Sequence, residues 1–249
     1  MTALIPAAQS RDTVAVVIGA SGGIGAALLA QVANDPRFAS VLALSRSAAA
    51  VDDPCIARGT IDVTDEASVA AAAAHARALG TVRLVIVASG LLHGAGVRPE
   101  KHWGALTGDT LARMFAVNSI GPALAAKHFL PLLPREGRSV FAAISARVGS
   151  IEDNRLGGWY AYRASKAALN MLLKTFAIEL ARRAPEAVCI GLHPGTVDTR
   201  LSKPFQEGVA PGRLFTPAQS AAHLMQVIDQ VSAADSGGVF AWDGSRVPA

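Results

Sequence analysis

The stretch VAVVIGASGGIG at residues 14–25 decides the fold predicted for this chain. Its first five residues form a continuous apolar run, which is typical of a strand buried on both faces of a parallel sheet. Gly19, Gly23 and Gly25 follow, and a helical segment begins among them. Glycines permit close backbone approach, and the N–H groups of a helix start attract an anion. The stretch predicts a dinucleotide-binding strand–turn–helix unit, with a flexible glycine loop as the alternative.

Further apolar runs alternate with Ala- and Leu-rich segments along the chain. The predicted strands are 14–18, 41–45, 56–61, 84–88, 139–144, 188–192 and 238–242, and the predicted helices are 24–34, 65–79, 109–133, 161–183 and 217–231. Because parallel neighbours need crossover helices, the pattern predicts a single-domain α/β Rossmann fold. Its doubly wound, seven-stranded parallel sheet carries helices on both faces. Thr64-Asp65-Glu66 is typical of an N-cap with an acidic first turn, and Thr216 is expected to cap a helix that has Pro217 in its first turn.

The chain divides into three expected parts. Residues 1–12 are expected to be a flexible N-terminus, residues 13–249 a single domain, and residues 196–216 its substrate loop. That loop contains three apolar residues, Leu201, Phe205 and Phe215, among polar residues and glycines, as many functional lids do. A mobile surface loop without a role in substrate binding is the alternative. His93 and Trp159 are further candidates for the mouth of a site, and packing or solvent exposure would explain each equally well.

Composition excludes several classes of function. The 249 residues are 51% hydrophobic and 17% charged, which favours a folded chain over disorder. The chain has 23 Lys and Arg residues against 19 Asp and Glu residues, and the basic residues are scattered along it. Aromatic residues make up only 5% of the chain, so no nucleic-acid partner is expected. Glycines interrupt the most apolar stretch, and no signal peptide is evident, so we expect a cytoplasmic chain without a membrane partner. Cys55 and Cys189 are predicted to be buried free thiols, with no metal site.

The end of the second predicted strand bears on cofactor choice. NAD-binding proteins usually place an acidic residue there, but this chain has Leu44-Ser45-Arg46-Ser47 and no acid before Asp52. The Arg46 guanidinium can bind a 2′-phosphate through two charge-assisted hydrogen bonds. Arg46 therefore favours NADP(H), with NAD(H) as the alternative cofactor. An arginine that is merely solvated at a strand end is the alternative interpretation of Arg46.

Tyr162 and Lys166 lie four residues apart in a predicted helix and therefore share one face. A phenol titrates near pH 10, and a neighbouring ammonium group favours its phenolate form. Tyr162 is thus a candidate general acid or base for a carbonyl or alcohol substrate. The spacing alone describes equally well a packed ring beside a solvated amine.

Taken together, the motifs resemble the short-chain dehydrogenase/reductase superfamily over nearly the whole chain. Five motifs carry the resemblance in the order found in the family: Gly19-x-x-x-Gly23-Ile24-Gly25, Asp62-Val63, Asn118, Tyr162-x-x-x-Lys166 and Pro194-Gly195-Thr196-Val197-x-Thr199. The run from Ala146 to Arg163 further resembles the C-factor/sniffer-like branch, which includes carbonyl reductases.

The resemblance implies an NAD(P)H-dependent oxidoreductase that transfers hydride between the nicotinamide and a small carbonyl or alcohol substrate. It implies that Tyr162 transfers the proton, that Lys166 lowers the pKa of Tyr162 and anchors the nicotinamide ribose, and that Asn118 positions a relay water. The implied cofactor-binding residues are Gly19, Ser21, Gly23, Ile24, Gly25, Arg46, Asp62, Val63, Gly90, Tyr162, Lys166, Pro194, Gly195, Val197 and Thr199.

Two motifs depart from the family pattern. Ala88-Ser89-Gly90 replaces the usual Asn-Ala-Gly, which bears on local packing. Ile144-Ser145-Ala146 replaces Ile-Ser-Ser, whose second serine is the catalytic one. Ser145 is the expected substitute, with Ser150 or a missing hydroxyl as the alternatives, and a merely hydrogen-bonded hydroxyl at the strand end would explain Ser145 equally well. The departure motivates an alternative function, an NAD(P)-binding signalling or scaffold protein with little turnover.

Two predicted helices also suggest a second copy of the chain as a partner. The segments 109–133 and 161–180 contain more small and apolar residues than one sheet-facing stripe requires. In the family these helices pair between subunits, so a homodimer or homotetramer is expected.

Overall fold

The computed structural model describes residues 12–47, 53, 55–94, 96–207, 209–210 and 212–249. Apart from Asp12, the N-terminus predicted to be flexible lies outside the described residues.

Strands and helices alternate along the described chain. Their order is β1 (Thr13–Ile18), α1 (Gly23–Ala33), β2 (Ser40–Ser45), β3 (Ile56–Thr60), α2 (Glu66–Leu79), β4 (Thr81–Val87), α3 (Gly108–Phe115), α4 (Gly121–Phe129), β5 (Ser139–Ile144), α5 (Tyr160–Arg183), β6 (Ala187–His193), β7 (Thr196–Val197), β8 (Leu214–Phe215), α6 (Pro217–Gln230) and β9 (Val239–Ala241).

The main sheet has seven strands in the order β3-β2-β1-β4-β5-β6-β9, and every neighbouring pair is parallel. This confirms the predicted doubly wound Rossmann fold. The strand order reverses between β1 and β4, so loops at the carboxyl ends of these strands open a crevice. A separate two-stranded ribbon, β7 with β8, closes the ends of the predicted substrate loop.

Two apolar layers hold the sheet between its helices. Alternate residues of β1 serve opposite layers, so Val14 and Val16 pack on the side of α2, α4 and α5, and Ala15 and Val17 on the side of α1 and α6. Because both faces are buried, the strands are continuous apolar runs. The sheet is thus a rigid platform whose carboxyl edge carries the functional loops.

The structure modifies several local predictions. The helix predicted over 109–133 is interrupted by a π-helical turn at Ala116–Ile120, where the Gly121 N–H donates to the Ala116 carbonyl. Thr216 caps α6 as expected, and within the predicted Thr64-Asp65-Glu66 segment it is Asp65 that caps α2. Cys189 is buried, but Cys55 is exposed, so the prediction for Cys55 was wrong. Within the described part of the chain, no helix combines the length and apolarity needed to cross a membrane.

Candidate active site

The glycine turn after β1 lies at the point where the strand order reverses. Gly19 has a φ of +89°, and a Cβ added there would lie 2.8 Å from the Ser89 nitrogen. A Cβ on Gly25 would lie 2.1 Å from the Gly19 carbonyl oxygen, so the first turn of α1 requires glycine. The Ser89 hydroxyl is buried beside the turn without a partner among the described residues. A backbone without Cβ atoms at a helix start fits a dinucleotide pyrophosphate.

The segment after β6 crosses back to this turn. A Cβ added to Gly23 would lie 2.7 Å from Thr199 Cγ2, so the structure brings these two predicted cofactor residues together. The Pro194 carbonyl accepts a hydrogen bond of 2.9 Å from the Ser220 hydroxyl of α6. Val197 is buried in the short ribbon that follows. These contacts place the Pro-Gly segment at the carboxyl edge of the sheet, beside the glycine turn.

Arg46 and Asp62 lie together where β2 and β3 end. The Thr64 hydroxyl and N–H donate to Asp62 Oδ1 at 2.7 and 2.9 Å and lower the pKa of Asp62, and the charge of Arg46 lowers it further. Both side chains are exposed, whereas Val63 is buried against Gly121. The exposed guanidinium is therefore available to an anion at this end of the crevice.

Tyr162 and Lys166 are both buried at the start of α5. Their exposed fractions are 8% and 2%, and Lys166 Nζ lies 5.9 Å from the centre of the Tyr162 ring. Lys166 Nζ donates to the Ile144 carbonyl at 2.8 Å, which fixes the amine at the end of β5. The predicted face-sharing pair is therefore buried beside the carboxyl end of β5 and does not lie on the solvated surface.

Burial controls the titration of this pair. It raises the pKa of Tyr162 to about 12 and lowers the pKa of Lys166 to about 8. The pKa of the phenol thus moves in the opposite direction from the lowering expected of a neighbouring ammonium. The physical reason is that removing water disfavours both charged forms. Tyr162 consequently stays protonated through the neutral range.

Asn118 lies in the π-helical turn with its side chain fully buried. Its Oδ1 accepts from the Leu91 N–H, and its Nδ2 donates to the Leu91 carbonyl, both at 2.8 Å. Nδ2 also donates to Ser165 Oγ at 3.1 Å. Asn118 therefore ties the segment after β4 to α5, close to Gly90. Its role with a relay water stays a prediction.

The serine candidates are engaged elsewhere. Ser145 Oγ donates to Asn170 Oδ1 at 2.6 Å, on the side of α5. Ser150 Oγ donates to the Ala249 carbonyl at 3.0 Å and accepts from the Asp153 N–H. Ala146 packs against the apolar cluster around Tyr162. The catalytic assignment of Ser145 stays a prediction.

An apolar cluster, called the Tyr162 cluster below, surrounds the phenol. Its members are Leu91, Leu92, Val97, Leu111, Met114, Ala146, Val148, Trp159, Ala161, Tyr162 and Phe205. The sequence did not distinguish packing from solvent exposure for the Trp159 side chain. In the structure its ring packs edge-on against the Tyr162 ring, with the ring centres 6.2 Å apart. Sequence reasoning missed the adjoining Glu100, which is 4% exposed, because a glutamate in a loop is typically solvated.

Comparison with known proteins agrees with this geometry. The family model described as short chain dehydrogenase matches residues 13–210. The chain belongs to the short-chain dehydrogenase family. The family is one of oxidoreductases, and the matched region contains the glycine turn, Asn118, the Tyr162–Lys166 pair and the Pro-Gly segment.

Several members of the short-chain dehydrogenase family are similar in sequence or structure. 1-Hydroxy-2-glutathionyl-2-methyl-3-butene dehydrogenase of a Rhodococcus species is 38% identical over 187 residues, covering 74% of this chain and 76% of that protein. The C-signal protein of Myxococcus xanthus is 36% identical over 162 residues, covering 64% of this chain and 90% of that protein. NADPH-bound carbonyl reductase from chicken fatty liver has a TM-score of 0.79 and 25% identity, covering 97% and 100% of the two chains. These similarities agree with the C-factor/sniffer-like branch.

Proposed function

We propose that this chain is an NADP(H)-preferring reductase of a small carbonyl compound, with Tyr162 as the general acid. The observation that carries the proposal is the buried Tyr162–Lys166 pair at the same sheet edge as the glycine turn. Burial keeps the pKa of Tyr162 at about 12, so the phenol holds the proton that a reduced carbonyl oxygen requires.

The proposed roles follow from the contacts of each side chain. When bound, the nicotinamide supplies the hydride chemistry. Tyr162 gives its hydroxyl proton to the substrate oxygen. Lys166, fixed by the Ile144 carbonyl, places a positive charge beside the phenolate that remains. Asn118 holds the segment after β4 in place. Ser145 is the proposed donor to the carbonyl oxygen, which requires its hydroxyl to leave Asn170.

The test compares Tyr162→Phe with Tyr160→Phe, because these positions hold the two tyrosines of the chain. NADPH oxidation is followed with a panel of aldehydes, ketones and quinones, and NADPH binding is measured by fluorescence titration. We expect Tyr162→Phe to lose turnover on the order of 10²- to 10⁴-fold with NADPH binding retained, and Tyr160→Phe to remain active. Turnover that survives Tyr162→Phe would overturn the mechanism.

The preference for NADP(H) is supported by the exposed Arg46 guanidinium beside Asp62. Arg46→Asp is expected to weaken NADPH binding by more than about tenfold, since a carboxylate repels a 2′-phosphate and a charge-assisted pair is lost. NADH binding is expected to hold or improve. Arg77→Asp, at an exposed site in the last turn of α2, is the matched control. Equal loss of both cofactors in Arg46→Asp would contradict the preference.

A second candidate function is an NAD(P)-binding signalling or scaffold protein. Two observations favour it: Ala146 puts a methyl group in the Tyr162 cluster, and the C-signal protein is among the relatives. This candidate predicts NADPH binding without turnover on any carbonyl in the panel. The same experiment therefore decides between the two functions.

We also propose that a second copy of the chain covers exposed apolar side chains near α4 and on α5. Ile120, Met171 and Ile178 are 51%, 68% and 51% exposed, and the last two lie seven residues apart on one face of α5. Met171→Glu is expected to weaken the homo-oligomer in light scattering. A monomeric wild-type protein at micromolar concentration would refute this assembly.

A further inference from the structure

The chain enters α5 through three consecutive residues in the left-handed backbone region. Gly157, Gly158 and Trp159 have φ values of +61°, +66° and +52°. Glycine adopts this conformation without steric cost, but a bulky residue there is a genuine outlier. Such strain persists only where the surroundings determine it, and it is concentrated at functional sites. The strained backbone of Trp159, three residues before Tyr162, therefore calls for a functional explanation.

Glu100 supplies the contacts that hold Trp159 in this conformation. Its backbone carbonyl accepts from the Trp159 N–H at 2.5 Å, and its Oε2 accepts from the Ala161 N–H at 3.2 Å. The second bond satisfies an N–H of the first turn of α5, where a carboxylate is favoured by the helix dipole. The side chain is 4% exposed, and Oε1 is buried without a partner among the described residues.

The result of this arrangement is a wall of two aromatic rings. Trp159 meets the Tyr162 ring at 6.2 Å and the Phe205 ring at 4.9 Å, both edge-on. Phe205 belongs to the substrate loop and also meets the His93 ring at 5.7 Å. His93 Nε2 donates to the Arg200 carbonyl at 3.0 Å, which ties that loop down. Trp159 and Phe205 thus extend from the catalytic phenol to the loop.

We propose that Trp159 and Phe205 form an aromatic wall that selects aromatic carbonyl compounds, and that Glu100 positions Trp159. The inference rests on the proposed function of Tyr162. Aromatic rings gain from edge-to-face packing beyond the area they bury. A polyhydroxylated substrate would leave hydroxyl groups unpaired against these rings and against Ala146, whose methyl group stands in the same cluster.

The experiment compares Trp159→Gly with Trp103→Gly. Glycine accepts the φ of residue 159 without strain and removes the ring, whereas Trp103 is 81% exposed and outside the cluster. The kcat/KM values for benzaldehyde, butanal and glyceraldehyde are measured with NADPH. We expect the benzaldehyde-to-butanal ratio to fall about tenfold or more in Trp159→Gly and to hold in Trp103→Gly. An unchanged benzaldehyde-to-butanal ratio in Trp159→Gly, or a wild-type preference for glyceraldehyde, would overturn the proposal that the aromatic wall selects the substrate.

Calorimetric titration of benzyl alcohol into the NADP⁺-bound protein measures the wall without turnover. Binding that is lost in Trp159→Gly, in a protein that turns over no carbonyl, would overturn the proposed function and support the wall. Turnover with unchanged benzyl alcohol binding in Trp159→Gly would support the function and overturn the wall. If benzyl alcohol fails to bind the wild-type protein, the proposal of a selective aromatic wall is overturned, whether or not the protein turns over a carbonyl.

Glu100 is tested with a conservative and a truncating variant. Glu100→Gln keeps a carbonyl acceptor for the Ala161 N–H, and Glu100→Ala removes it. We expect Glu100→Ala to lower the benzaldehyde-to-butanal ratio in the same direction as Trp159→Gly, and Glu100→Gln to restore most of it. A lower melting temperature for Glu100→Ala with an unchanged ratio would overturn its positioning role and leave a merely structural one.

Discussion

Replacing Lys166 with Met is expected to make the protein more stable at neutral pH, although it removes the amine to which we assign a role in the reaction. The Lys166 ammonium is 2% exposed, and its hydrogen bond to the Ile144 carbonyl does not offset the loss of water. Burial therefore lowers the pKa of Lys166 from 10.5 to about 8. Met has a similar volume without a charge, so the substitution removes the cost of burying the ion.

The magnitude follows from the pKa displacement. A tenfold change in acidity is worth about 1.4 kcal/mol, so holding the ammonium in the folded state at pH 7 costs about 3 kcal/mol. The substitution also leaves the Ile144 carbonyl without its donor, which costs about 1–2 kcal/mol at every pH. The net expectation is that Lys166→Met raises the free energy of unfolding by about 1–2 kcal/mol at pH 7.

The pH dependence supplies the sharper test. Between pH 8 and pH 10.5 the unfolded wild-type chain binds a proton at Lys166 that the folded chain does not, so wild-type stability rises with pH. The stability of Lys166→Met relative to wild type should therefore fall by about 2–3 kcal/mol between pH 7 and pH 10, which cancels or reverses its advantage. Urea unfolding at several pH values measures it, with Lys174→Met at an exposed site of α5 as the control. An advantage independent of pH, or a less stable variant at pH 7, would refute the reasoning.

Two further predictions concern the glycine turn and a helix cap. Gly25→Ala brings a Cβ to 2.1 Å from the Gly19 carbonyl oxygen, so it should abolish NADPH binding and lower the melting temperature. The control Gly108→Ala should leave binding intact, because its Cβ meets nothing within 4 Å. Tight NADPH binding by Gly25→Ala in calorimetry would contradict this prediction. Thr216→Ala loses the 3.2 Å bond to the Gln219 N–H and should destabilise the chain by about 1 kcal/mol in urea unfolding, and an unchanged midpoint would argue against the cap.

The sheet could be predicted because its physics is local in the sequence. A strand buried on both faces must be apolar at every position, so β1 and its neighbours are visible as uninterrupted runs. The glycine turn can be recognised for the same reason, because a Cβ at Gly25 would collide with the Gly19 carbonyl within the turn itself and Gly19 has a φ of +89°, which favours glycine. Steric constraints require glycine at these two positions, so the turn is recognisable from the sequence alone.

The π-helical turn and the serine contacts could not be predicted in the same way. The turn at Asn118 is stabilised by hydrogen bonds to Leu91, which is 27 residues away in sequence. Periodicity over 109–133 is almost the same with or without one extra residue in a turn. Ser145 likewise depends on Asn170, a partner that only the packing of α5 on β5 supplies.

The protonation states of Tyr162 and Lys166 show why the residues of a motif do not suffice to predict its pKa values. Tyr162 and Lys166 at helical spacing predict a charge interaction that lowers the pKa of the phenol, and that inference assumes water around the amine. The structure instead buries both groups, and desolvation acts on them in opposite directions. A phenol that keeps its proton and a lysine that is charged at neutral pH are the protonation states that the proposed proton donation by Tyr162 requires. The residues that bury the pair, Trp159 among them, therefore determine the protonation states of Tyr162 and Lys166 as much as the motif does.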